Sequence, residues 1–104
     1  MERRGFVMQL MPGYEAEYKR RHDALWPELA QLLKEAGISD YVIYLDPASG
    51  RLFGSLKLAE GHGADGLPEH PVMQKWWAYM ADIMETNPDH SPAQVGLEEV
   101  FYLA

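Results

Sequence analysis

The chain has 104 residues, a formal net charge of −7, an apolar fraction of 47% and no cysteine. One domain with one modest core fits that length, and the apolar content excludes a disordered tail. The acidic balance argues against nucleic acid and anionic membrane surfaces as partners, since both are bound by neutralising phosphates. The absence of cysteine excludes disulfides, thiolate catalysis and cysteine-held metal clusters.

Gly5 to Met11 alternates, with Phe6, Met8 and Leu10 on one side and Val7 and Gln9 on the other. This predicts a first strand, stopped by Pro12-Gly13. The apolar stretch is too short for a secretory signal, and no apolar run approaches the ~20 residues of a membrane helix, so a cytoplasmic protein is expected. From Tyr14 to Ala36 the period is helical, with Leu25, Leu29, Leu32 and Leu33 as the apolar stripe and Gly37 as the stop. Pro27 lacks a backbone donor and clashes with the preceding turn, so this helix must kink or restart there.

Asp40 to Leu45 is rich in β-branched and aromatic residues and predicts the second strand. Asp46-Pro47-Ala48-Ser49-Gly50 is strong turn chemistry, and Arg51 to Leu58 returns as the third strand of a hairpin. Glu60 to Pro68 holds three glycines and reads as a loop. Pro71 to Glu85 predicts a second helix, with Met73, Trp76, Trp77, Met80 and Met84 on one face. Thr86 to Pro92 is a run of turn formers, and Gln94 to Leu103 predicts the last strand.

The order βαββαβ over residues 1–104 is that of the ferredoxin-like α+β sandwich, a four-stranded antiparallel sheet with its helices on one face. The strands are apolar on both sides, and nothing in the chain remains to cover the second face. A homodimer with facing sheets is therefore expected.

Few residues carry obvious chemistry. His62, His70 and His90 lie in or beside Gly/Pro-rich loops without metal-ligand spacing, and no phosphate-binding loop or nucleophile turn occurs. No metal or cofactor is expected. His22 differs, because Tyr18 precedes it by four residues and Tyr14 by eight, which places all three rings along one helix face. In this fold Trp76-Trp77 of the other long helix lies on the same side of the sheet. Adjacent tryptophans point about 100° apart on a helix, so one can serve the core while the other lines a cleft. These rings either fill the core or wall a small-ligand pocket with a single titrating group. A pocket of that kind suits a sugar: aromatic faces cover its C–H faces, and imidazole gives and takes protons near neutrality. The least demanding reaction is anomer interconversion, by ring opening, rotation about C1–C2 and reclosure.

Across nearly the whole chain, a set of residues closely resembles the L-rhamnose mutarotase family. It comprises Phe6-Val7-Met8, Tyr18 with Arg21-His22, Trp26-Pro27-Glu28-Leu29, Tyr41, Tyr44-Leu45-Asp46, Trp76-Trp77 with Met80 and Asp82, Asn87-Pro88-Asp89 and Phe101. The resemblance implies a homodimer of the dimeric α/β-barrel type, an isomerase of the aldose 1-epimerase kind acting on the anomers of free L-rhamnose. Carried over by position, His22 corresponds to the proton donor, and Tyr18, Tyr41, Trp76 and Trp77 to sugar-binding residues. Asp23 stands where some members have asparagine, and the 60–68 segment is richer in glycine than the family's helical rim. Water, a tyrosine or a loop carboxylate such as Asp89 remain as candidates for the general base. The competing readings are a monooxygenase on the same fold and a dimeric, non-catalytic ligand-binding module.

Overall fold

A computed structural model describes residues 1–104. Strands β1 (Glu2–Gln9), β2 (Ile38–Asp46), β3 (Arg51–Leu58) and β4 (Gln94–Leu97) form one sheet in the order β2-β3-β1-β4, with every neighbouring pair antiparallel. Helices α1 (Glu15–Asp23), α2 (Pro27–Glu35) and α3 (Pro71–Met80) contribute Tyr18, Leu29, Trp76 and Met80 to one core with Met8, Leu10 and Leu52 of the sheet side. This is the expected ferredoxin-like arrangement.

The first helical stretch restarts at Pro27 rather than kinking. Trp26 adopts an extended ψ of 129°, as a residue before proline prefers, and Pro27 takes the first helical position, where its missing N–H costs nothing. α1 and α2 thereby become separate rods, and the break swings Trp26 onto Trp76, their rings 5.1 Å apart and nearly perpendicular.

Several boundaries differ from the sequence expectation, β1 running Glu2–Gln9 rather than Gly5–Met11 and β2 Ile38–Asp46 rather than Asp40–Leu45. α3 ends at Met80, not Glu85, because the following residues return to the sheet: the Met11 N–H donates to the Ile83 carbonyl at 2.9 Å and the Glu85 N–H to the Gln9 carbonyl at 3.0 Å. Ile83 and Met84 are buried by this return. β4 stops at Leu97 rather than Leu103, since Leu97 pairs with Gly5 and β1 has few residues left to pair beyond that point. The tail is held instead by Arg3, which bonds Glu99 at 2.7 Å and lies over the Tyr102 ring. The expected 60–68 loop is partly wound, with Ala64–Glu69 forming a short 3₁₀ helix that runs one residue past it.

β2 carries one residue too many. Ser39 pairs with Lys57 and Val42 with Ser55, so Asp40 and Tyr41 together oppose Leu56, a β-bulge with Asp40 in the left-handed region at φ 47°. The surplus residue shifts the alternation. Ile38 faces the core on one side of the bulge, and Tyr41, Ile43 and Leu45 face the same way on the other. Val42 and Tyr44 turn to the opposite face. That face is apolar and open: Tyr44 is 65% exposed, Val95 64% and Leu97 47%.

Candidate active site

α1 begins and ends with charges that suit a helix dipole, Glu15 and Glu17 in its first turn and Arg20, Arg21 and His22 in its last. Arg21 fastens it to the end of α3, bonding the Asp82 carboxylate and the Tyr79 carbonyl, each at 2.8 Å, while also pairing with Glu17. With α1 fixed in this way, the i, i+4 pair Tyr18 and His22 stack with ring centres 4.2 Å apart and planes 28° from parallel. The edge of Trp76 from α3 closes against His22 at 5.4 Å.

These side chains line a pocket between the helices and the sheet, enclosing about 430 Å³ of empty space with its open mouth included. Its walls are Tyr18 and His22 from α1, Tyr41 and Ile43 from β2, Trp76, Trp77 and Met80 from α3, and Thr86, His90 and Pro92 from the loop after α3. All five residues singled out by the resemblance, His22, Tyr18, Tyr41, Trp76 and Trp77, therefore meet at one place. Tyr14 does not; it is exposed and lies outside the pocket.

The polar groups of the pocket have distinct states. The Nδ1 of His22 lies 3.0 Å from the Tyr18 carbonyl. A carbonyl only accepts, so Nδ1 carries the proton, and Nε2 is the nitrogen left for a ligand. Burial holds the His22 pKa below the ordinary histidine value, against the opposing pull of the Tyr18 carbonyl and of Asp23. Asp23 itself turns outward, its carboxylate gripped by Lys19 at 3.0 Å. Burial, reinforced by the nearby Tyr41, raises the Tyr18 phenol, and burial of its hydroxyl pushes Tyr41 up to about 12. Both phenols thus remain protonated donors at neutral pH.

Asp89, a candidate base in the sequence, is used otherwise. Its Oδ1 accepts from the Ser91 N–H at 3.0 Å and from the Ser91 hydroxyl, bonds that hold its carboxyl below the usual range. It staples the loop and is absent from the pocket lining. The sequence reading missed Thr86 and His90, which the same loop brings to the mouth. The available signal was the position of His90, directly after the Asn87-Pro88-Asp89 motif that the resemblance includes.

No Asp, Glu, Lys or Arg lines the pocket, and no cluster of three or more His, Asp or Glu side chains has the geometry to hold a metal ion. What the walls offer is aromatic surface, hydroxyl donors and imidazole, the equipment for a neutral, many-hydroxyl ligand that undergoes proton transfer.

The L-rhamnose mutarotase family profile matches residues 3–103. An L-rhamnose mutarotase of Sinorhizobium fredii is 61% identical over 104 residues, spanning all of both chains. One from Brucella anthropi is 59% identical over 102 residues, covering 98% of this chain and 96% of its own. The crystal structure of the L-rhamnose mutarotase from Formosa agariphila superposes with a TM-score of 0.94 at 47% identity, again over the whole of both chains. Fold, pocket and ancestry agree: the chain belongs to the L-rhamnose mutarotase family.

Proposed function

We propose that the chain interconverts the α and β anomers of L-rhamnose, with His22 as the proton-transfer residue and Tyr18, Tyr41, Trp76 and Trp77 binding the sugar. The observation that carries this reading is the orientation of His22, whose Nδ1–H is committed to the Tyr18 carbonyl and whose Nε2 is free within an aromatic pocket. In its neutral form Nε2 takes the proton of the C1 hydroxyl and delivers it to the departing ring oxygen as the C1–ring-oxygen bond breaks. The open chain rotates about C1–C2, and the ring oxygen re-adds to the other face of the carbonyl. On reclosure the same imidazole takes the proton from the attacking hydroxyl and donates it to the new C1 oxygen, so His22 is the proton donor in both directions. The phenols of Tyr18 and Tyr41 serve as hydroxyl-directed donors, and the tryptophans offer apolar faces to the sugar's C–H bonds.

The open sheet face supports a second element of the reading, a homodimer. Val42, Tyr44, Phe53, Val95 and Leu97 together make a contiguous apolar surface too rich for a monomer to leave wet. A second copy offers the same surface across a two-fold axis. The composition without cysteine supports a cytoplasmic setting, and no helix is long and apolar enough to cross a membrane.

Saturation-transfer NMR between the two anomeric protons of L-rhamnose tests the reaction directly. Added protein is expected to produce transfer that His22→Ala abolishes while its circular dichroism stays that of the wild type. Equal transfer with both proteins would remove His22 from the mechanism, and transfer with neither would remove the reaction.

A further inference from the structure

Four of the chain's six methionines, Met8, Met73, Met80 and Met84, line the pocket. They arrive from separate parts of the chain. Met8 lies on β1, an inner strand of the sheet, and Leu10, two residues on and buried in the same core, pairs across to Met84 in the return after α3. Met80 follows Trp76 by one turn of α3 and Met73 by two. Met73 is only partly buried, whereas Met8, Met80 and Met84 are buried and make the floor of the pocket.

That floor has little to offer a hydroxyl. A thioether sulfur is a weak acceptor and never a donor. No fully buried side-chain nitrogen or oxygen of the molecule is without a partner. The groups left for sugar hydroxyls are therefore accessible ones, among them the phenols of Tyr18 and Tyr41, the Thr86 hydroxyl and Nε2 of His22. A ligand that reaches the floor has to end there in a group without polar atoms. L-rhamnose has one such group, the methyl at C6. Its carrier, C5, is bonded to the ring oxygen, so a sugar whose C1 hydroxyl and ring oxygen meet His22 brings the methyl to the wall beside that histidine. Trp76 is part of this wall, its ring 5.4 Å from His22, and Met80 continues it one turn further on.

We infer that Met8, Met80 and Met84 form the subsite for the C6 methyl and select 6-deoxy sugars against those that carry a hydroxyl on C6. The inference rests on the mutarotase reading of the pocket. Two effects act together. A methyl seated on the floor leaves water for an apolar surface, and the unbranched methionine side chains close around it. A C6 hydroxyl in the same place is stripped of its water and finds no partner in return. Seating the methyl also fixes how the ring lies, because C5 and C1 flank the ring oxygen on opposite sides and the floor accepts only the C5 end.

Three sugars test this: L-rhamnose; L-mannose, which differs only by a hydroxyl on C6; and L-lyxose, which lacks C6 and keeps the other stereocentres. Enzyme-dependent anomer exchange is measured for each over a range of concentrations. Relative to L-rhamnose, kcat/KM is expected to be lower by ~10-fold for L-lyxose and by ~10²-fold for L-mannose. Met84→Gln sets an amide into the floor and is expected to narrow the gap between L-rhamnose and L-mannose by ~10-fold. In the wild-type protein, L-mannose exchanged as efficiently as L-rhamnose, or L-lyxose rejected more strongly than L-mannose, would overturn the inference and leave the mutarotase reading standing. A folded Met84→Gln that keeps the full discrimination would do the same. If circular dichroism shows that variant unfolded, the sugar series with the wild-type protein decides alone. Exchange with none of the three sugars would overturn both readings.

Discussion

The carbonyl of Tyr18 accepts a hydrogen bond from Nδ1 of His22 at 3.0 Å, one helical turn away, so a residue that walls the pocket with its ring also selects the tautomer of the residue beside it. The two functions are inseparable because stacking at 4.2 Å and the carbonyl contact arise from the same i, i+4 spacing on α1.

A pH dependence follows from the burial of that ring. Desolvation disfavours the imidazolium, so the His22 pKa lies below the usual value of about 6.5, and the free Nε2 lone pair exists at all higher pH. As pH falls through that lowered pKa, Nε2 is protonated and kcat/KM for anomer exchange is expected to drop, with its midpoint below about 6.5. Asp23→Asn, which removes one of the influences opposing the shift, is expected to move the midpoint further down. An acid limb centred above pH 7 would contradict this account.

The adjacent tryptophans are expected to separate stability from binding. Trp76 is 6% exposed and packs against His22, Trp26 and Tyr79, so Trp76→Ala is expected to cost about 3–5 kcal/mol in urea unfolding. Trp77 is only partly buried and lies at the pocket wall. Trp77→Ala is expected to raise KM for L-rhamnose several-fold at little cost in stability, and to give a smaller sugar-dependent fluorescence change than the wild-type protein.

Gly54 on β3 makes room for Phe6 on the neighbouring strand. A methyl group at Gly54 would occupy the space of the Phe6 ring, and that ring in turn meets the edge of Tyr41 with centres 6.1 Å apart. Gly54→Ala is expected to destabilise the protein by about 1–3 kcal/mol and to raise KM through the displaced Tyr41. Adding Phe6→Leu should recover part of the stability, and the urea midpoints of the two single variants and the double variant report the coupling.

Much of this molecule was legible in its residues because local chemistry governs it. The hairpin turn is announced by Asp46, whose carboxylate accepts from the Ala48 N–H and the Ser49 hydroxyl, and by Gly50 at φ 76°. The restart at Pro27 needs nothing beyond the geometry of proline. His22, Tyr18, Trp76 and Trp77, which the pocket brings together, were singled out by helical spacing and by the resemblance, and Tyr41 by the resemblance alone. His90 was not, because its approach to the pocket depends on bonds between residues far apart, such as Met11 to Ile83 and Glu85 to Gln9, that return the chain after α3 to the sheet. The early end of α3 has the same cause: an apolar period continues through Met84, but pairing with the sheet outweighs helix propensity there.

The bulge in β2 governs how the chain tolerates changes of length. Asp40 is supernumerary, so its deletion leaves every remaining side chain of the strand on its present face, and Tyr41 still looks toward the pocket. An insertion or deletion between Val42 and Asp46 reverses the side chains beyond it, sending pocket and core residues into solvent and Tyr44 into the interior. In lineages descended from such a chain, β2 is free to shorten at one position and is closed to length change at those that follow.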